Sequence, residues 1–217
     1  MDFSFTPEQD DLRREARAFL EANPSPSAAQ LEELGWVGIV QSDDFTFLDA
    51  AVLFEELGRV LYTGSFVEDE AGGDRRKLLA AYALEAVGIG SKAIELALVY
   101  VSDREQFGKK IGAYQAISHS LVDGYVAVEL SRSLAYWAAW CVAEDDEQVD
   151  LAVAAAKSQA AEAAVLACEK SIQAHGGIGF TWEHPLHRYY KRALWLESAL
   201  GYGREHRAEV AEYLLSS

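Results

Sequence analysis

From about residue 76 to residue 199 the apolar side chains recur at helical spacing, in one long stretch after another. Leu84, Val87, Ser91, Ile94, Ala97, Leu98 and Val101 mark a stripe over residues 76–103. Ile117, Leu121, Tyr125 and Val128 mark a second over 114–143, with Trp137 and Trp140 near its end at positions suited to core or subunit contact. A third stretch, 149–174, is rich in alanine. Ala156, Ala160, Ala163, Ala164 and Ala167 give it a small-residue face that permits close helix approach. Pro185 opens a fourth stretch to about Ala199, and a shorter helical pattern follows over 204–215. Helices this long must cover one another's apolar stripes. The expected fold class is all-α, with a C-terminal four-helix bundle. Gly88 and Gly90 weaken the first of these helices and suit a close neighbour there.

Before the bundle, Thr6-Pro7-Glu8-Gln9 has the marks of a helix start: a capping hydroxyl, proline at the first position and an acidic first turn. Leu12, Ala16, Phe19 and Leu20 continue it until Asn23-Pro-Ser-Pro-Ser27 breaks the pattern. A short helix is expected over 28–34, leading into Gly35-Trp-Val-Gly-Ile-Val40 and a polar connection over 41–45. A clearer helix spans 49–60, with Ala51, Phe54, Leu57 and Val60 on one side. Val67 to Asp74 has the composition of an acidic, glycine-containing linker, and nothing between 62 and 80 alternates as a strand would. The expected division is a small N-terminal helical segment over 1–66, a linker over 67–75 and the bundle over 76–217, with no β-barrel domain.

The formal net charge is −16, a field that repels nucleic acid and anionic lipid and argues against both as partners. An anionic ligand would then need a local basic patch. Lys109, Lys110, Arg188, Lys191 and Arg192 are candidates for it, unless they are ordinary solvated helix ends. Cys141 and Cys168 lie in helical patterns far apart, which suggests small core residues in a reducing compartment. The start, Met1-Asp2-Phe3-Ser4, has neither a basic leader nor a long apolar run. A cytoplasmic protein with no signal peptide and no membrane span is expected.

Two blocks stand apart from the helices around them. Arg104-Glu-Gln-Phe-Gly108 offers a guanidinium fork that matches phosphate geometry. In Gln173-Ala-His-Gly-Gly-Ile-Gly-Phe180, Gly176, Gly177 and Gly179 leave backbone N–H groups uncovered, and Gln173 both donates and accepts. Each has a plainer explanation: a double glycine after a helix is commonly a C-cap, and Arg-Glu-Gln-Phe-Gly a solvated helix end. Together they could hold an anionic, nucleotide-containing cofactor.

Residues Tyr100 to Ile117 resemble the start of the C-terminal helical domain of the acyl-CoA dehydrogenase family, and Gln173 to Arg188 resemble that family's second signature. The blocks and the helices between them occur in the family's order. The likeness is good over about residues 80–205 and looser over the first sixty, where it includes Glu55-Glu-Leu-Gly-Arg59. It implies a reaction in which a glutamate removes the proton α to a thioester and a hydride passes from the β carbon to FAD. It further implies that the bundle's blocks serve the FAD of a neighbouring subunit. Arg104, Gln106 and Phe107 would lie at the pyrophosphate, and Gln173, Gly176 and Gly177 at the adenosine half.

Three departures from the family pattern change the expectation. Only Ser42-Asp43-Asp44 stands where a glycine-rich loop is usual. The middle β-domain, on which the flavin ring leans, has no counterpart between 62 and 80. Aligning Gly201 with the glycine of the family's Tyr-Glu-Gly-Thr stretch puts Leu200 in the place of the catalytic glutamate. The alternative base position falls near Leu78, leaving Glu85 and Glu197 as substitutes unless they are exposed helix glutamates. His175, His184 and His187 cluster at the glycine turn without a ligand set for a metal, which favours capping or packing roles.

The resemblance therefore implies a non-catalytic subunit that completes the FAD site of a full-length acyl-CoA dehydrogenase partner. An α2β2 assembly is the expected form, and family members of that kind include those acting on steroid-CoA thioesters. An FAD-free helical scaffold and a self-sufficient flavoprotein with a relocated base are the alternatives.

Overall fold

The computed structural model describes residues 5–216, so the expectation resting on residues 1–4 falls outside the described residues. In chain order the helices are α1 (Pro7–Ala22), α2 (Ala28–Glu33), α3 (Phe47–Arg59), α4 (Phe66–Ala71) and α5 (Arg75–Asp103). A hairpin of two short strands, β1 (Glu105–Gln106) and β2 (Lys109–Lys110), leads to α6 (Gln115–Ala143), α7 (Val149–His175), α8 (Leu186–Ser198) and α9 (Gly203–Ser216). The fold is all-α, as the periodicity indicates.

Local chemistry sets the ends of these helices. Thr6 Oγ1 accepts from the Gln9 N–H at 3.2 Å, and the Gln9 side-chain oxygen accepts from the Thr6 N–H at 3.1 Å, a capping box with Pro7 at the first position. Asp74 caps α5 by accepting from the Arg76 and Lys77 N–H groups.

Helix α7 is the central element, packed against α5, α6, α8 and α9. Its alanine face is buried as expected, and Ser171 Oγ donates to the Ala93 carbonyl at 2.8 Å, fastening α7 to α5. A methyl group on Gly90 would lie 2.7 Å from Val128 Cγ2, so this glycine sets how closely α6 and α7 approach α5. By length and composition the stretch from Val149 to Phe180 would be apolar enough to cross a membrane, at a mean hydropathy of 1.3. Most of it is buried within the bundle, which accounts for that character.

The N-terminal helices pack on the bundle. Gly58 of α3 lies on the Glu85 carbonyl of α5, and Gly88 of α5 lies on the Glu55 carbonyl of α3, so a methyl group on either would collide with backbone. Much of the stretch expected as an acidic linker is helical. In α4, Phe66, Val67, Glu70 and Ala71 are buried, and the Glu70 carboxylate accepts from the Gly38 and Val40 N–H groups at 2.7 and 3.1 Å. A buried carboxylate with two backbone donors is satisfied, which explains how acidic composition and burial coexist here.

Candidate functional site

Both blocks sit where a helix ends. Arg104 caps α5, its N–H donating to the Tyr100 carbonyl at 2.9 Å, and its extended backbone turns the chain into the hairpin. Phe107 and Gly108 both have positive φ, +53° and +81°, the pattern of a two-residue hairpin turn whose twist matches the strands. Phenylalanine rarely adopts this conformation. Here it leaves the Phe107 ring 94% exposed. Tyr114 braces the turn, its hydroxyl donating to the Gln106 carbonyl at 3.1 Å while the Lys109 ammonium rests 4.0 Å above its ring.

The second block begins where α7 stops. Gly176, at φ +62°, caps the helix, with its N–H directed to the Gln173 and Ile172 carbonyls, so the capping role holds at this residue. Nothing lies within 4 Å of the positions where side chains would start on Gly176 and Gly177. Gly179 differs: a methyl group there would be 2.8 Å from the Ile172 carbonyl oxygen, so it folds the turn back on α7.

A ring stack ties the two blocks together. His175 is buried, its Nδ1 lies 2.7 Å from the Ser171 carbonyl, and its ring stacks on Tyr100 with centroids 4.4 Å apart. The His184 ring packs against that of His175, with centroids 4.3 Å apart. Burial lowers the pKa of His175; burial, then the neighbouring His175 and His187, lowers that of His184. Burial thus disfavours the charged form of His175 and His184, whose rings pack at the glycine turn. Tyr100, one turn before Arg104, and His175, between Gln173 and Gly176, were the signals available in the sequence for this contact.

The six candidate residues fall into two sets. Arg104, Gln106 and Phe107 share the hairpin, while Gln173, Gly176 and Gly177 share the end of α7; all six are exposed. No hydrogen bond joins the sets directly among the described residues. Gln106 spends one amide hydrogen bond on the Glu105 carbonyl at 2.7 Å. The side chains of Arg104 and Gln173 have no partner among the described residues, so their donors remain available to a ligand.

The profile of the acyl-CoA dehydrogenase C-terminal domain matches residues 80–215, more than half of the chain. The chain belongs to the acyl-CoA dehydrogenase family. Acyl-CoA dehydrogenase IpdE2 of Mycolicibacterium smegmatis is 34% identical over 145 residues, which are 66% of this chain but 43% of that protein. The chain therefore matches less than half the length of that relative. Among solved structures, the ChsE4–ChsE5 complex from Mycobacterium tuberculosis matches the whole chain at a TM-score of 0.88 and 18% identity, a likeness of fold. The Tcur3481–Tcur3483 steroid acyl-CoA dehydrogenase is 28% identical at a TM-score of 0.60, over 74% of this chain and 40% of that one.

Within this acyl-CoA dehydrogenase bundle, Glu85 is not the exposed helix glutamate that its sequence context allows. It is 3% exposed and held bidentate by Arg192, with Nε to Oε1 at 2.6 Å and Nη2 to Oε2 at 2.9 Å. Burial pushes its carboxyl up, and the Arg192 fork opposes that shift. Arg192 also lies 4.1 Å over the Trp195 ring, which removes it from the candidate basic patch. Lys110 is tied to the Glu105 carboxylate and the Asp103 carbonyl. Glu197 remains half-buried. Leu200 stands in a left-handed turn at φ +60°, with no proton-accepting group.

Proposed function

We propose that this chain is a non-catalytic subunit of an FAD-dependent acyl-CoA dehydrogenase, closing the FAD site of a full-length partner from across their interface. The observation that carries this reading is the pairing of two facts. The signature blocks stand exposed, with unused side-chain donors at Arg104 and Gln173 and open space at Gly176 and Gly177, while Glu85, one of the two substitute bases, has both oxygens held by Arg192.

The residues present fit an FAD pyrophosphate and adenosine. Arg104 presents a charged fork, the hairpin turn projects the Phe107 ring, and Gly176 and Gly177 leave their backbone open to close approach. FAD, when bound, supplies the redox chemistry by accepting the hydride. This chain's part is to bind and orient: Arg104, Gln106 and Phe107 on one side, and Gln173, Gly176 and Gly177 on the other. Between α3 and α5 the described chain holds one short helix and no strand, so the partner provides the surface for the flavin ring as well as the base.

The assembly expected is α2β2 in the cytoplasm. The acyl-CoA is held mainly by the partner, and the steroid acyl-CoA dehydrogenase among the structural neighbours makes a steroid-CoA thioester the first substrate to try. Replacement of Arg104 or Gln173 by alanine in the co-expressed complex is expected to lower the flavin absorbance retained per mole of protein through gel filtration. Equal retention by the wild type and both variants would count against the reading.

A further inference from the structure

Helix α9 lies on α7 without a fully buried apolar side chain of its own. Gly203, His206, Val210 and Tyr213 recur at helical spacing on one side of it, and of these only Gly203 and His206 are buried. Where an apolar anchor would serve, the chain has an imidazole. The ion pairs that help seat the helix, Arg75 with Glu209 and Arg207 with Glu162, join half-exposed side chains and contribute little. The docking of α9 therefore turns on His206.

His206 is completely buried, and neither ring nitrogen has a hydrogen-bond partner among the described residues. A neutral imidazole carries one N–H donor and one acceptor, so both stand unfilled here. The surrounding charges do not supply a partner. On α9, Glu209 Oε2 is 3.5 Å from Nδ1 without making a hydrogen bond to it, and the other oxygen of that carboxylate pairs with Arg75 of α5. Glu205 Oε2 accepts instead from the Tyr202 N–H at 3.2 Å. Nε2 faces the α8–α9 turn, where a methyl group on Gly201 would lie 3.2 Å from it. On α7, the fully buried Lys157 acts against a charge on the ring, as does Arg75. Glu197 of α8 pulls on Lys157 in turn. Burial, foremost, and these two cations lower the pKa of His206, while Glu209 opposes them.

We infer that α9 is an acid-released arm: a proton taken by His206 unseats the helix from α7 and frees the Gly201 turn before it, while the rest of the bundle holds. Docked, the ring is neutral; in water an imidazole binds a proton at about pH 6.5. Below that pH the released arm binds more protons than the docked one, so docking is strongest above it and weakens as the pH falls. A buried imidazolium without a hydrogen bond, beside the Lys157 ammonium, would be offset only by the half-exposed Glu209 carboxylate. His175 offers the contrast within the same chain. Its Nδ1 lies 2.7 Å from the Ser171 carbonyl, and it belongs to the long helix α7 rather than to a helix seated through one side chain. Release of α9 needs no partner subunit.

The test is hydrogen–deuterium exchange of the whole chain at pH 7.5 and 5.5, corrected for the intrinsic pH dependence of exchange. Uptake of one proton with a solution pKa of about 6.5 should lower the protection of the α9 amides about tenfold across that interval. Amides of α5 and α6 should keep theirs. His206→Gln and His206→Leu each put a side chain that does not titrate in place of the imidazole, and each is expected to hold the change in α9 protection within about twofold. The wild-type ring gives a readout independent of both variants through its Cε1 proton resonance, which should titrate only at the pH where α9 loses protection. A resonance that titrates near pH 6.5 while α9 stays protected would mean a charged ring paired in place with Glu209, and would overturn the inference. Equal protection of wild-type α9 at the two pH values, or the full loss in both variants, would overturn it as well.

Discussion

At the scale of single residues the decisive partnership is Glu85 with Arg192. A carboxylate this buried is tolerable because both its oxygens are filled by one guanidinium. Arg192→Ala leaves that carboxylate unpaired and is expected to cost about 3 kcal/mol in urea unfolding. Glu85→Leu with Arg192→Met should recover most of the loss, because it removes the buried charge along with its partner. The glycines give a second contrast. Gly88→Ala drives a methyl group into the Glu55 carbonyl and should destabilise by at least about 2 kcal/mol. Gly177→Ala meets open space and should stay within about 0.5 kcal/mol of the wild type. Calorimetry or urea melts of the two variants separate these cases. A glycine that packs a helix and a glycine that leaves room for a ligand are alike in sequence. The partner of Glu85 was equally hidden, since Arg192 lies 107 positions away and no local spacing joins them.

At the scale of elements, α5, α6 and α7 were legible because each is long enough to repeat its apolar stripe many times. Helix α4 was not, since six residues, three of them acidic, are too few to show a period, and the burial of Glu70 depends on the Gly38 and Val40 amides. The hairpin was missed for a similar reason, as two-residue strands are too short to alternate. Helix α7 makes a further prediction through Lys157, which is 1% exposed and donates from Nζ to the Leu196 carbonyl at 2.7 Å. Burial lowers its pKa from 10.5 to about 8, against the opposing pull of Glu197. The unfolded chain therefore holds a proton between those values that the folded chain has released. This lysine's contribution to stability rises as pH climbs from about 8 to 10.5. Lys157→Met should lose that increment, and urea midpoints for both proteins across the interval give the comparison.

At the scale of the whole molecule, the bundle followed from periodicity, and the ordered pair of signature blocks pointed to its family. The blocks end their helices exposed, and among the described residues the interval between α3 and α5 contains α4 and no strand. Under the proposed function these features share one explanation, a second and larger subunit that contributes the flavin-ring surface and the base. The measurement that tests this most directly is the mass and flavin absorbance of the chain purified alone and after co-expression with a full-length homologue. The account predicts a colourless protein alone and a yellow heterotetramer in company, with dehydrogenase activity confined to the complex. A chain that purifies yellow and active by itself would contradict it.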